Sequence, residues 1–181
     1  MGRILLFFLV SSFCNVFAQT PTSSKDGAAY ISADDIQSAI QKPGDSGVQD
    51  AVLRVLPVNR GYNVGVSVVR RTRINGQTVR DALQHHAITE IYEVRQGCGS
   101  LVAGGSLVGA KELPANDPDL LQQIGPTALG TEIKSGQARH IGVGDIVVIP
   151  PDTPHGFSEI CAEGITYTVV RIDGKRLLRL K

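Results

Sequence analysis

The sequence has no excess of charge of either sign: 18 Lys and Arg stand against 17 Asp and Glu, a formal net charge of +1. No basic run is interleaved with aromatics, which make up only 5% of the chain, so there is no nucleic-acid footprint. Cysteine is scarce, three in 181 residues, and no two stand in the C-x-x-C spacing of a zinc site. Long apolar runs are missing beyond the first residues, and a transmembrane helix needs about 20 apolar positions. No internal repeat is visible.

What is there begins with "MGRILLFFLVSSFCNVFAQT". Arg3 precedes an apolar run from Ile4 to Val10, and small residues stand ahead of Gln19. This pattern reads as a secretory signal over residues 1–18, cleaved after Ala18, with a retained anchor as the alternative. The expectation is a periplasmic or secreted protein with no membrane contact after cleavage. Residues 19–30 are polar and proline-interrupted and read as a disordered leader. The mature chain of about 163 residues suits one domain, 31–181, with a real core. Cys14 leaves with the signal. Cys98 and Cys161 remain, and either a single disulfide or two buried thiols fits them.

Ser32 can cap a short helix whose first turn carries Asp34 and Asp35. Ile36, Ala39 and Ile40 then share a face, and Pro43 and Gly44 stop the helix. From Tyr62 onward the pattern changes. "YNVGVSVVRR" puts Val64, Val66 and Val68 on one face. "EIYEVRQ", "SLVAG", "DIVVIP" and "ITYTVVRI" are further short β-branched runs bounded by Gly or Pro. Such a series predicts an all-β sandwich or barrel. Residues 106–136, above all Lys111 to Gly136, are poor in strand pattern. They read as a long loop with one helical turn at Asp119 to Gln123. Gly104 and Gly105 fit a turn.

Two stretches carry the chemistry. In "QHHAITEIYEVRQG", His85 and His86 precede Glu90, which shares its strand face with Tyr92 and Val94. A carboxylate on such a face is costly unless it is paired or binds a cation. In "GDIVVIPPDTPHGFSEI", a strand runs into a proline-rich turn that delivers His155, on the same face as Phe157. Tyr92 can orient a ligand or simply pack in the core. Glu159 can act as acid or base or sit at the rim. His140 reads as a surface residue. Arg70, Arg71 and Arg171 lie on strands, where either an anionic ligand or solvent would suit them.

These stretches resemble the two motifs of the cupin superfamily. Glu90 and Gly97 have the six-residue spacing of the first motif, and Gly144, Pro150 and His155 have the spacings of the second. Asp152 stands where that family has a glycine, and Glu159 where it has an asparagine. The His-x-His pair of the first motif is missing. With three residues before the glutamate it maps to Gln84 and His86, and with four to Leu83 and His85. Alternation forbids His85 and His86 from facing the same way on a regular strand. "TEI" at Thr89 to Ile91 is similar to family members with the longer spacing, which favours His85.

The resemblance implies a double-stranded β-helix, a jelly-roll barrel with its site in the mouth. The first motif would span about 83–97, the inter-motif loop 106–136 and the second motif 144–159. It implies a divalent transition metal (Fe, Mn, Ni or Zn) held by one or both of His85 and His86, by Glu90 and by His155, with Gln84 as a weaker fourth ligand. It also implies a small-molecule ligand or substrate, and metal-assisted oxygenation, isomerisation or lyase chemistry. The competing expectation is non-catalytic binding of a sugar or organic acid. Pairing into a homodimer is a further implication.

Overall fold

The computed structural model describes residues 27–40, 47–59, 61–73, 80–118 and 120–181. The signal segment, residues 19–26 of the leader, Cys14, Pro43, Gly44 and Asp119 lie outside the described residues. Among the described residues no helix is long and apolar enough to cross a membrane.

The expected helix forms as α1, Ala33–Ala39. Ser32 caps it: its hydroxyl accepts from the Asp35 amide at 3.0 Å, and the Asp35 carboxylate accepts from the Ser32 amide at 3.0 Å. The side chain of Gln49 ties the helix to the barrel by donating to the Ala39 carbonyl.

The strands are β1 (Val48–Val58), β2 (Tyr62–Arg71), β3 (Arg80–His85), β4 (Ile88–Ala103), β5 (Ser106–Val108), β6 (Lys111–Glu112), β7 (Thr127–Gly130), β8 (Glu132–Lys134), β9 (Gln137–Gly142), β10 (Ile146–Ile149) and β11 (His155–Asp173). Two long strands organise them. The first part of β4 pairs with β10 and with the second part of β11, which continues to β2 and β1. The second part of β4 pairs with β9 and with the first part of β11, which continues to β3, β7 and β6. Both long strands thus pass from one sheet to the other, and the two sheets close into a jelly-roll barrel.

The crossover is marked by a register shift between Ile160 and Ile165 and by Gly97 at φ 71°. A Cβ on Gly97 would fall on the carbonyl oxygen of Gly164, so the first motif's glycine is required by close strand approach as well as by its φ. At the same corner Cys98 and Cys161 form a disulfide, with Cα atoms 5.4 Å apart. Of the two cysteine readings, the bridge is the one the structure contains.

Between the sheets lies a core of Val69, Val94, Leu101, Phe157, Ile160 and Tyr167 with their neighbours. Each large apolar side chain removed from water contributes about 1.5–3 kcal/mol.

Val64, Val66 and Val68 share one face of β2, as expected; Asn63, Ser67 and Arg71 lie on the opposite face, which points into the barrel, and are buried. The reason is the register: Gly65 pairs with Arg171, and Arg171 with Glu90, so these positions share the inner face. The expected loop at 106–136 holds four short strands and a π-helical turn at Leu120–Ile124. Strands of two to four residues are too short to show a period. β1 has no counterpart in the strand reading, because a bulge between Val52 and Arg54 breaks its alternation.

Candidate metal centre

β3 ends at His85, and the chain is pinned there from both sides. The His85 carbonyl accepts from the Asp152 amide at 2.7 Å, and the His86 amide donates to the Pro126 carbonyl at 2.8 Å. With the backbone held, the two histidines face opposite ways. His85 is buried. His86 is about a third exposed and makes a surface cluster, with Nδ1 2.8 Å from Asp152 Oδ1 and Nε2 3.1 Å from Glu112 Oε1. The Asp152 hydrogen bond is the main cause holding the His86 imidazole above its ordinary pKa.

Asp152 adopts φ 58°. This is left-handed backbone, which a glycine, the motif's residue at this position, adopts freely and which Asp tolerates better than most residues. Its carboxylate then has a new task, holding His86 outward. Gln84 also points outward, 3.5 Å from the same Asp152 oxygen. The structure therefore does not bring His86 or Gln84 to the cluster. Alternation along β3 and the two backbone pins are the cause.

Inside the barrel, three groups meet: His85 from β3, Glu90 from β4 and His155 from β11. All are nearly solvent-free, at 3%, 2% and 2% exposure. Glu90 Oε2 is 3.4 Å from His85 Nε2 and 3.2 Å from His155 Nε2. The two imidazole rings are 5.3 Å apart, centroid to centroid.

Hydrogen-bond partners fix the tautomers. The Thr127 hydroxyl is 2.8 Å from the Gly125 carbonyl, which can only accept, so its proton is committed there. Its oxygen therefore accepts from His85 Nδ1 at 2.8 Å, and Nε2 of His85 carries the lone pair. His155 Nδ1 donates to the Thr153 carbonyl at 2.9 Å. Its Nε2 is buried and has no hydrogen-bond partner. Burial, partly opposed by Glu90, lowers the His85 pKa, which favours the neutral ring.

Glu90 itself is ionised. Burial works against its charge, but the buried Arg171 guanidinium and the Tyr92 hydroxyl, both donating to it, favour the ionised form, and the carboxyl is held well below the usual range. Oε1 accepts from Arg171 Nε at 2.8 Å, and Oε2 accepts from the Tyr92 hydroxyl at 2.7 Å. Burial, and then the Glu90 charge, push the Tyr92 phenol well above its ordinary value, so it stays a donor.

Three lone-pair atoms thus converge, and the Tyr92 hydroxyl is the one proton donor that the described hydrogen bonds place on Oε2. Buried acceptors in that arrangement call for a cation. The spacing suits one: two donors about 2.1 Å from a common ion, at cis or tetrahedral angles, are about 3.0–3.4 Å apart. Two imidazoles and a carboxylate fit Fe(II), Mn(II), Ni(II) or Zn(II).

Glu159 is exposed, outside this cluster. A register shift between Phe157 and Glu159 resets the alternation that His155 and Phe157 begin. Arg171 is buried at 3% exposure, bound to Glu90, Asp50 and Ser67, so solvent is not its environment. Arg71 is buried too and donates to the Tyr167 hydroxyl at 2.9 Å. Sequence reasoning missed Thr127, for which no local signal exists. It also left Arg171 open, although its parity with Tyr167 and Val169 on β11 was a usable sign of an inward charge.

The class defined by this barrel and its two motifs is the cupin fold. No family model matches the sequence, and no curated protein matches it. Among solved structures, the chain is similar to KdgF from Halomonas sp. at 15% identity, over 77% of this chain and 92% of that one, with a TM-score of 0.44. It is also similar to a protein of Bacillus halodurans at 11% identity, over 85% and 88%, with a TM-score of 0.44. DMSP lyase DddQ from Ruegeria pomeroyi matches at 16% identity, over 77% of this chain and 54% of that one, with a TM-score of 0.43. These are likenesses of fold.

Proposed function

We propose that this chain is a metal-dependent cupin that acts on a small organic molecule in an oxidising compartment outside the cytoplasm. One observation carries the metal: Nε2 of His85, Nε2 of His155 and Oε2 of Glu90 are buried lone-pair atoms aimed at one another. His85, His155 and Glu90 would hold the ion. When bound, a divalent transition metal supplies a Lewis acid with open positions for an oxygen-bearing ligand.

The protein's own residues do the rest. Thr127 and the Thr153 carbonyl hold the imidazoles in the ligating tautomer. Tyr92 keeps its proton on Oη and orients Glu90. The low-dielectric surroundings strengthen each of these contacts. Among the described residues the cluster holds no second carboxylate, and Tyr92 is held protonated. Chemistry at this site therefore depends on polarisation by the metal more than on a protein general base. The same feature favours the second reading, a binding cupin for a sugar or organic acid.

Metal analysis of the purified chain tests the proposal. Wild type should carry or take up close to one transition-metal ion per chain, and Glu90→Gln and His155→Ala should lose most of it while keeping the fold. Unchanged stoichiometry in both variants would sink the ligand assignment.

Support for the compartment comes from the signal-like first 18 residues and from the Cys98–Cys161 bridge, since such bridges persist mainly in oxidising surroundings. Mass spectrometry of the exported chain should find Gln19 as its first residue. Pairing of two copies is also part of the proposal. Its support is the exposed apolar outer surface at Val143, Ile146 and Val148, beside the edge strand β10. A monomer by light scattering would remove it.

A further inference from the structure

Arg171 stands directly opposite Glu90 across the β4–β11 pairing. Its guanidinium is buried and fully engaged. Nε donates to Glu90 Oε1 at 2.8 Å, one terminal nitrogen donates to Ser67 Oγ at 2.9 Å, and the other to Asp50 Oδ2. Asp50 belongs to β1 and Ser67 to β2, so three strands fix where the fork points. Burial disfavours the charge, but Asp50 and then Glu90 outweigh it and keep the group protonated.

The consequence falls on Glu90. A carboxylate can offer a metal one oxygen or two, and the choice changes how many positions stay open. Here Oε1 is drawn toward Arg171, while Oε2 is the oxygen nearest the two imidazole nitrogens, at 3.4 and 3.2 Å. Resting on the metal reading above, we propose that Arg171 is a positioning residue that restricts Glu90 to a single ligating oxygen and so keeps one more metal position free for substrate. Lysine cannot do this work, because an ammonium lacks the planar fork that meets Asp50, Ser67 and Glu90 together.

The mechanism is geometric. Two oxygens of one carboxylate bind an ion only if both approach to about 2.0–2.2 Å. That would require Oε1 to leave a charge-assisted hydrogen bond inside the barrel. Removing the guanidinium frees Oε1 to turn onto the ion, and a site of two imidazoles and one carboxylate oxygen becomes one with two carboxylate oxygens.

Cobalt(II) reports this directly, since its visible d–d bands weaken as its coordination number rises. The test is to load the full chain with Co(II) as wild type, Arg171→Lys, Arg171→Gln and the pair Arg171→Gln with Asp50→Asn. Spectra are recorded for each, with a crystal structure of loaded wild type. The paired variant removes both buried charges together and guards against misfolding. The expected result is one Glu90 oxygen on the ion in wild type, with weaker bands and one added carboxylate ligand in the folded variants. Two Glu90 oxygens on the ion in wild type would overturn the inference, even if no variant folds. So would identical spectra in wild type and every loaded variant; both results leave the metal reading standing. Failure of wild type to take up Co(II), Zn(II), Mn(II), Ni(II) or Fe(II) would instead refute the metal reading and this inference with it.

Discussion

Thr127 accepts a hydrogen bond from His85 Nδ1 at 2.8 Å, and that contact leaves Nε2 as the bare nitrogen facing Glu90. Thr127→Val keeps the shape of the side chain and deletes the acceptor. Metal affinity should fall about 10–100-fold, the usual scale for losing a partner of a ligating histidine. Leaving Nδ1–H buried and unpaired should also cost about 1–3 kcal/mol of stability. Competition titration against a chelator and chemical denaturation measure the two effects; a folded variant with wild-type affinity would mean that Thr127 does not set the tautomer.

Neighbouring histidines should behave as opposites. His85→Ala removes a buried ligand and should abolish tight metal binding. His86→Ala removes a surface residue bound to Asp152 and Glu112 and should leave stoichiometry unchanged. Elemental analysis of both variants decides between them, and loss of metal in His86→Ala alone would reverse the assignment.

The surface histidine should appear instead in the pH dependence of stability. Its folded pKa lies above the ordinary value, chiefly through Asp152. The stabilisation is therefore fully present below about pH 6.5, the unfolded value, and fades as pH rises through the folded pKa. Because the group is partly exposed, the change should be small. Denaturation midpoints from about pH 6 to pH 8.5 should decline gently in wild type and less in His86→Gln. Equal slopes would assign the decline elsewhere.

The Cys98–Cys161 bridge joins residues 63 apart in sequence. Closing a loop of that length removes enough unfolded-state freedom to stabilise the fold by about 4 kcal/mol in the chain-entropy account. Cys98→Ser with Cys161→Ser should lower the denaturation midpoint accordingly. A shift near zero would show that the corner is held by its strand pairing alone.

Gly97→Ala should be among the most damaging single substitutions. It places a side chain at positive φ and drives it into the Gly164 carbonyl. A loss above about 3 kcal/mol is expected, at the upper end for single changes. Gly104→Ala is the control: φ there is also positive, at 83°, but a Cβ meets nothing within 4 Å. If the two variants lose equal stability, φ rather than crowding is the cause.

Much of this protein was legible in the residues themselves. Alternating β-branched runs marked an all-β sandwich or barrel, because a period of two is a local property. The spacings from Glu90 to Gly97 and from Gly144 to His155 marked the motifs, and the Ser32 cap was readable because its partner lies three residues away. Tertiary structure alone decided the rest. Which histidine points inward depends on Pro126 and Asp152, whose backbones pin the end of β3 from distant parts of the chain. Thr127, Asp50 and Ser67 joined the site only through pairing of strands far apart in sequence. Whether Arg171 faced water or Glu90 was settled when β11 took its register on β4. A buried charge needs its partner within a few ångströms, and in a jelly roll most partners come from the other end of the chain, where no local pattern records them.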